Sequence, residues 1–488
     1  MLVPVKPIHI IRAGLVLAMT IGLAACGGSG ASGYTGNSAS GPVASSGGSS
    51  GGGGSTPPPA SGWVWESGST AADTPGTYTA QGVSSTGGPG GRFGDVQWRE
   101  AAGNLWLWVF GGTGATTTSS TIGLLSDLWK YNTTTNQWTW VGGPDTLNGA
   151  GSYGTLGTAA TSNLPPARTN AVSWTDASGN LWLFGGESNG PVWLNDLWEY
   201  TPSTNEWTWQ GGPDTPDTPG VYGTEGVAST SNLPGPRSFD TAVTDSSGDV
   251  WIFGGCSYDG TISGDMNDLW MYNPATKAWT WEAGADAANQ SGVYGTQGQP
   301  ASGNTPGARQ GAMMWVDASG NLWLFGGYGY DSTGAQGAMN DLWKFTPATR
   351  QWTWEGGSDL QNPSAVYGTQ GTAAAANIPV GTFSGASWTD SSGNFWFFGG
   401  AGEYNNELNE LWKYNPTTAE WTWEGGNPAV TAGAYGTEGV ASTSNLPGAR
   451  VEMSASVDST GNTWIFGGYG YDASNNSGDL NDLWKLVP

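Results

Sequence analysis

A unit of about 70 residues recurs six times in this 488-residue sequence, and this repeat constrains the fold more than any other feature. Each unit contains an apolar segment that ends in a glycine pair and then a Leu-Trp segment, and five units end in Trp-Thr-Trp. The first glycines of successive pairs are 68 to 74 residues apart: Gly111, Gly185, Gly254, Gly326, Gly399 and Gly467. A near-constant period indicates one supersecondary unit that packs against copies of itself.

The sixth Trp-x-Trp segment does not follow the last unit but precedes the first one, as Trp63-Val-Trp65. A sheet of four antiparallel strands cannot bury both of its faces alone, so such sheets pack around an axis and the last meets the first. We therefore predict that residues 63–66 pair as the fourth strand of the last unit and close the ring.

Short polar segments join the first two apolar strands of a unit, as in Asp317-Ala-Ser-Gly320-Asn321. Aspartate commonly accepts hydrogen bonds from backbone N–H groups in such turns, and glycine adopts the left-handed conformation. The glycine pairs predict a second sharp turn, because glycine reaches positive φ without a steric cost.

The segments Leu197-Trp-Glu-Tyr200-Thr-Pro202-Ser-Thr-Asn-Glu-Trp207 and Leu411-Trp-Lys-Tyr-Asn-Pro-Thr-Thr-Ala-Glu-Trp421 carry the repeat most clearly. Together with the preceding glycine pair, they resemble the kelch motif, and the resemblance covers nearly all of residues 63–488. It implies an all-β, six-bladed β-propeller of four-stranded antiparallel blades, closed by an N-terminal strand. Two features depart from the kelch pattern: each unit carries about 20 extra residues, and Thr382 replaces the arginine that opens the other five units.

The N-terminus predicts export. Lys6 and Arg12 precede an apolar run, residues 13–25, which ends at Leu23-Ala-Ala-Cys26. This arrangement resembles a bacterial lipoprotein signal and implies that residues 1–25 are removed and that Cys26 is acylated. Residues 26–62, rich in Gly, Ser and Pro, are expected to form a disordered tether before the propeller, residues 63–488. We expect the protein in the cell envelope, and Gly27 favours the outer membrane.

Charge excludes one class of partner. After Cys26 the sequence has 39 acidic and 12 basic residues. Nucleic acid binding requires a basic face, so nucleic acid is not an expected partner. Anionic lipid surfaces are disfavoured for the same reason. We therefore expect membrane contact only through the acyl anchor, and a monomer.

Histidine is absent after the predicted signal, since the only one is His9. A Ser-His-Asp triad and ordinary copper or zinc sites are therefore not expected. The kelch family includes galactose oxidase, whose copper site needs histidines and a tyrosine–cysteine pair, and these cannot be placed in this sequence. A shared fold does not carry the activity.

Two long connections of each unit are predicted to share one face: the glycine-pair loop and the insert that joins one blade to the next. Binding sites are usually presented by such loops on a rigid scaffold. Aromatic rings beside carboxylates suit stacking on sugar rings or gripping a peptide, and Asp259, Asp331 and Asp472 lie nearby in the sequence; packing within the loops is the alternative. The aromatic candidates are Trp193, Tyr258, Tyr328, Tyr330, Tyr404, Tyr469 and Tyr471.

Five arginines at equivalent positions are predicted to begin the innermost strands: Arg92, Arg168, Arg237, Arg309 and Arg450. A ring of cations at the mouth of the axial channel would bind carboxylate or sulfate ligands. The alternative is a structural arginine in each blade, bonded to loop carbonyls and acidic side chains. An anion site requires that several of these arginines lack an acidic partner.

No cofactor is expected. Calcium is the alternative, with ligands from Asp259, Asp265 and Asp268, or from Asp472, Asp479 and Asp482, although their spacing matches no known calcium loop. The sequence favours a non-catalytic binding or adhesion module for a glycan or an extracellular protein. A carbohydrate-active enzyme that uses tyrosine and carboxylates, and a purely structural envelope protein, are the alternatives.

Overall fold

A computed structural model describes residues 62–100, 106–117, 121–190, 192–258, 263–403, 406–427 and 431–487. These residues form β-strands and connecting turns, without an α-helix. Within the same ranges, we find no helix with the length and apolar character needed to cross a membrane. The predicted fold class, all-β with four-stranded antiparallel sheets, is confirmed.

Six main sheets are present in the described residues, each with its strands in the order first, second, third, fourth. We number the sectors one to six along the chain by their second strands. The first strands are Val96–Arg99, Val172–Thr175, Thr241–Thr244, Met313–Val316, Ala386–Thr389 and Ser454–Val457. The second strands are Trp106–Phe110, Leu181–Phe184, Val250–Phe253, Leu322–Phe325, Phe395–Phe398 and Thr463–Phe466. The third strands are Leu128–Asn132, Leu197–Thr201, Leu269–Asn273, Leu342–Thr346, Leu411–Asn415 and Leu483–Val487. The fourth strands are Gln137–Gly142, Glu206–Gly211, Ala278–Ala283, Gln351–Gly356, Glu420–Gly425 and, in sector six, Gly62–Ser67.

The first strands contact one another in a closed cycle in which sector six meets sector one. A ring of six backbone hydrogen bonds accompanies this cycle. In each sector, the residue two positions before the first strand donates its N–H to the carbonyl of the equivalent residue in the preceding sector. The distances are 2.7–3.1 Å, and the residues are Gly94, Asn170, Phe239, Gly311, Ser384 and Glu452. All six have positive φ. Even the bulky Phe239 adopts this conformation, at φ 57°, where its hydrogen bonds in the ring hold it.

The N-terminal strand completes sector six. Gly62–Ser67 pairs antiparallel with Leu483–Val487, with Trp63 opposite Leu486 and Trp65 opposite Trp484. Trp63 is buried against Phe398 and Trp484, at ring-centroid distances of 5.0 and 6.5 Å. The predicted pairing of residues 63–66 is therefore present.

The inserts between sectors cover the outer edges of the main sheets. In sector three, Gly226 donates to the carbonyl of Trp281 at 2.7 Å, and the Asn232 side chain donates to that of Trp279 at 3.0 Å. In sector one, Ser84–Ser85 forms a fifth strand on Gln137–Gly142. We predicted that the inserts present binding loops. The structure shows instead that part of each insert is hydrogen-bonded to the edge of a main sheet. An uncovered fourth strand would expose a row of backbone donors and acceptors, and the inserts satisfy some of these groups.

Candidate functional site

Five sectors carry a second, three-stranded sheet beside the main sheet, and we call these the small sheets. Each combines a two-residue strand that begins with the arginine and two strands from the glycine-pair loop. Their bounds are Arg92–Phe93, Thr113–Gly114 and Gly123–Leu124; Arg168–Thr169, Glu187–Ser188 and Val192–Trp193; Arg237–Ser238, Cys256–Tyr258 and Ser263–Asp265; Arg309–Gln310, Tyr328–Tyr330 and Gln336–Ala338; Arg450–Val451, Tyr469–Tyr471 and Ser477–Asp479. Among the described residues of sector five, isolated bridges take the place of this sheet, between Phe383 and Ala401 and between Ala401 and Glu407.

The arginines do not begin the innermost strands, contrary to prediction. In sector four, Gly311 separates Arg309–Gln310 from the first strand, Met313–Val316, because it takes part in the backbone ring with φ 63°. The chain reaches the small sheet through a second turn at Gly326 and Gly327, with φ 66° and 99°. The positive φ predicted for the glycine pair is confirmed.

Each of the five arginines is buried and forms a two-point ion pair with an aspartate of its own sector. Arg309 donates to the two oxygens of Asp341 at 2.6 and 2.8 Å, and to the carbonyls of Gly326 and Gly307 at 2.8 and 2.9 Å. The equivalent pairs are Arg92–Asp127, Arg168–Asp196, Arg237–Asp268 and Arg450–Asp482. None of the five lacks an acidic partner, so the condition for an anion-binding ring is not met.

A tyrosine and a tryptophan complete each network. In sector four the Tyr294 hydroxyl and the Trp343 indole N–H both donate to Oδ2 of Asp341, at 2.6 and 2.7 Å. Burial, followed by the Asp341 charge, raises the pKa of Tyr294, so its hydroxyl remains a donor. We did not predict this tyrosine as part of the network. The signal was available, because the insert repeats a tyrosine at this place in every unit: Tyr78, Tyr153, Tyr222, Tyr294, Tyr367 and Tyr435.

Sector five replaces both members of the ion pair. Thr382 occupies the arginine position and Glu410 the aspartate position, and both are buried. Glu410 accepts hydrogen bonds from the Tyr367 hydroxyl and, at 2.8 Å, from the Trp412 indole. Burial raises the pKa of Glu410, while these two donors oppose the rise. The loss of the cation is thus accompanied by a longer acid that keeps the remaining donors.

The aromatic candidates divide into buried and accessible groups. Trp193 is buried and its indole donates to Ser238 at 3.1 Å, so it does not present a free ring. Tyr258 is half-buried, and Tyr404 lies outside the described residues.

Two accessible tyrosine pairs remain, both in a Tyr-Gly-Tyr strand: Tyr328 with Tyr330, and Tyr469 with Tyr471. Alternate residues of a strand point to the same side, so the two rings of each pair lie side by side. All four side chains are half-buried.

The carboxylates nearest in the sequence are not the partners of these tyrosines, and Asp259 lies outside the described residues. Asp331 accepts backbone hydrogen bonds at 2.8 and 2.9 Å from Thr333 and Ala335, so it stabilises its own turn. Asp472 does the same with Ser474 and Asn476, both at 2.8 Å.

The acids that act on the tyrosine pairs come from the preceding sector. Burial, then the charge of Asp265, raises the pKa of both Tyr328 and Tyr330. Glu407 has the same effect on Tyr471, and it adds to burial at Tyr469. We call Tyr328, Tyr330 and Asp265 site A, and Tyr469, Tyr471 and Glu407 site B.

Asp265 is the most buried group of site A. It is 0 % exposed, its Oδ2 accepts a 2.9 Å hydrogen bond from Gln336, and its Oδ1 has no hydrogen-bond partner among the described residues. Burial raises the pKa of Asp265 to about 8, and burial also raises the pKa of Glu407. Glu407 is half-buried, so its protonated carboxyl can donate to a ligand oxygen and its ionised form can accept from a hydroxyl or an amine, whereas Asp265 is enclosed.

Several aspartates of the predicted calcium alternative already have other partners. Asp268 and Asp482 are paired with arginine. Asp472 is occupied by its turn. Within the part of the chain that the structure describes, no group of three or more His, Cys, Asp or Glu residues could hold a metal ion.

Buried carboxyls make stability depend on pH. The pKa values of Asp265 and Asp479 are raised by burial to about 8, and those of Asp95, Asp240 and Glu452 to about 7. Between about pH 4 and pH 8 the folded chain therefore binds more protons than the unfolded chain, so the free energy of unfolding falls as pH rises.

We expect a lower melting temperature at pH 8 than at pH 5, with a cost on the order of 1 kcal/mol per group for each pH unit in this window. Thermal melts across this range would measure the slope. Asp265→Asn should flatten it, whereas Asp214→Asn, at an exposed site, should not. A slope that is the same in wild type and Asp265→Asn would contradict the assignment.

Comparison with known proteins identifies the repeat. Residues 228–422 match the model of the KLHDC2/KLHL20/DRC7 Kelch-repeats domain. Residues 228–422 carry kelch repeats. The matched residues begin in the insert before sector three and end within the fourth strand of sector five, Glu420–Gly425. No curated protein matches the chain. Kelch domains generally mediate protein interactions, so the match indicates a protein-binding propeller.

Proposed function

We propose that this kelch chain is a non-catalytic binding or adhesion module, and that it holds a glycan or an extracellular protein on the face formed by the small sheets. The observation that carries the proposal is the recurrence of one arrangement at sites A and B. At each site burial and the charge of an acid in the preceding sector raise the pKa of two half-buried tyrosines. A ligand with repeated rings or hydroxyl groups would engage both sites.

The chemistry of the sites favours binding over turnover. Tyrosine rings supply apolar contact area and a polar hydroxyl, and at site B the half-buried Glu407 adds a hydrogen-bonding group. The same elements occur twice, two sectors apart, whereas a catalytic pocket concentrates unique residues in one place. The arginines are paired with acids of their own sectors, and the inserts cover sheet edges, so neither is part of the proposed site.

The test is binding of the full chain to a glycan array and to candidate envelope proteins, followed by Tyr330→Ala and Tyr471→Ala. Loss of one aromatic contact of about 1–1.5 kcal/mol corresponds to a loss of affinity of roughly tenfold. Val440→Ala, at an exposed position on an insert, is the matched control and should bind like wild type. Ligand binding that survives both tyrosine substitutions would place the ligand elsewhere.

We also propose that acylation of Cys26 anchors the protein to a membrane of the bacterial cell envelope, with the outer membrane favoured. The support is the Leu23-Ala-Ala-Cys26 pattern after a short apolar run. Cys26→Ala should move the protein from the detergent phase to the aqueous phase in detergent partitioning. A variant that stays in the detergent phase would refute acylation at this residue.

A further inference from the structure

Neighbouring sectors pack through one repeated ring contact. An aromatic residue in the third strand of one sector lies on the tryptophan in the second strand of the preceding sector, with ring centroids 5.5–6.2 Å apart. The pairs are Tyr131 on Trp464, Tyr200 on Trp108, Tyr272 on Trp182, Phe345 on Trp251 and Tyr414 on Trp323. These rings fill the space between five pairs of sectors.

Sector six breaks this pattern. Its third strand has Leu486 at the aromatic position, and the residue opposite in the sheet register is Thr463. The other sectors pair a larger apolar residue with the ring, as in Leu181 opposite Tyr200 and Phe395 opposite Tyr414. Both members of the pair are therefore smaller in sector six, at the boundary with sector five.

A cavity of about 500 Å³ lies between sectors five and six, beside these smaller side chains. Its apolar lining includes Trp63, Trp388, Trp396 and Leu486. Trp396 is half-buried, whereas its five counterparts are at most 5 % exposed. The cavity lies within the range of about 300–1,000 Å³ that is typical of ligand pockets.

The cavity presents a ready aromatic surface. Trp388 and Trp396 are stacked, with ring centroids 6.1 Å apart and planes 8° apart. The equivalent stack in sector two, Trp174 and Trp182, has nearly the same geometry, at 5.9 Å and 9°. There, Tyr272 of the next sector covers both rings at 6.2 and 6.1 Å.

Polar groups fix Trp396 in position. Its indole N–H donates to Asp390 at 2.8 Å, and Lys413 lies 5.1 Å from its ring centre and pairs with Glu424. Asp390 and Glu424 also line the cavity, as do Gln370 and Asn445. These side chains can accept a hydrogen bond from a hydroxyl group on a ring that rests on the tryptophans.

We propose that this cavity is a second ligand site, which takes a tyrosine side chain presented by a partner protein. The other five interfaces between sectors indicate the ligand. At each of them a ring of the third strand covers the equivalent tryptophan, and four of these five rings are tyrosine. The kelch match indicates protein partners. The lining comes from the main sheets of sectors five and six, their turns and the neighbouring inserts rather than from the small sheets, so the site is separate from sites A and B and does not depend on them.

The experiment titrates N-acetyl-tyrosinamide into the full chain and detects binding by saturation-transfer NMR and calorimetry, with N-acetyl-leucinamide as the negative probe. Leu486→Tyr should restore the tyrosine–tryptophan contact of the other interfaces, raise the melting temperature and weaken binding at least tenfold. Leu360→Tyr, the same change at an exposed position, should leave both unchanged. Thr463→Leu is a second filling variant and should also weaken binding.

Absence of tyrosinamide binding to wild type would overturn the proposal. Equal binding by wild type and Leu486→Tyr would also overturn it, because the ring would then lie elsewhere. Equal binding of the leucine and tyrosine probes would show an apolar cavity without the proposed preference and would refute the assignment.

Discussion

Arg309→Met is expected to lower the free energy of unfolding by about 3–5 kcal/mol, because it leaves Asp341 as a buried carboxylate without its cation. Arg309 and Asp341 are both 0 % exposed, so water cannot replace the lost donors without opening the small sheet. Two backbone carbonyls, of Gly307 and Gly326, also lose their donor. Equilibrium denaturation monitored by tryptophan fluorescence would measure the loss.

Sector five supplies the control for this experiment. The double variant Arg309→Thr with Asp341→Glu copies the Thr382 and Glu410 arrangement, in which the acid keeps its tyrosine and tryptophan donors. We expect the double variant to be more stable than Arg309→Met. A decrease in the free energy of unfolding of less than about 1 kcal/mol in Arg309→Met would be typical of a surface ion pair. It would contradict the structural role of the Arg309–Asp341 pair.

Deletion of residues 63–66 is expected to lower the free energy of unfolding by about 5 kcal/mol or more, since it removes two large tryptophans from the interface of sectors five and six. The third strand of sector six would lose its outer partner, and Phe398 and Trp484 would lose the Trp63 ring. Differential scanning calorimetry would measure the change.

A deletion of equal length within the Gly/Ser segment, residues 47–50, is the matched control and should leave the melt unchanged. If the variant without residues 63–66 also has the melting temperature of wild type, the strand does not contribute to closure of the ring of sectors. Trp63→Ala should give an intermediate result, because the backbone pairing with Leu483–Val487 remains.

Local chemistry explains the features that could be predicted from the sequence. The turn at Asp317 is an example: its Oδ1 accepts from the backbone of Ser319 and Asn321 at 2.8 and 2.9 Å, and Gly320 has φ 79°. These contacts span four residues, so the residue types are sufficient to specify them. The strand order follows from the repeat in the same way, because within five sectors each strand of the main sheet pairs with the next strand of that sheet along the chain.

Contacts between distant residues required the tertiary structure. The sequence contained every arginine, but only the folded chain brings Arg309 to Asp341, 32 positions away. This pairing makes Arg309 unavailable to a ligand. The insert tyrosine Tyr294 reaches the same aspartate across 47 positions. The role of the insert therefore changed from a binding loop to an edge cover with a buried hydrogen bond.

The candidate site shows the same division. The sequence alone determined the repeat, the closing strand and the Tyr-Gly-Tyr segments, because these depend on local spacing and strand alternation. The tertiary structure decided which acid acts on the tyrosines, since burial and then the charge of Asp265, in the sector before Tyr330, raise the pKa of Tyr330. It also decided that a cavity lies beside Leu486. Such contacts arise where separate sheets pack, and no local pattern specifies which side chains meet there.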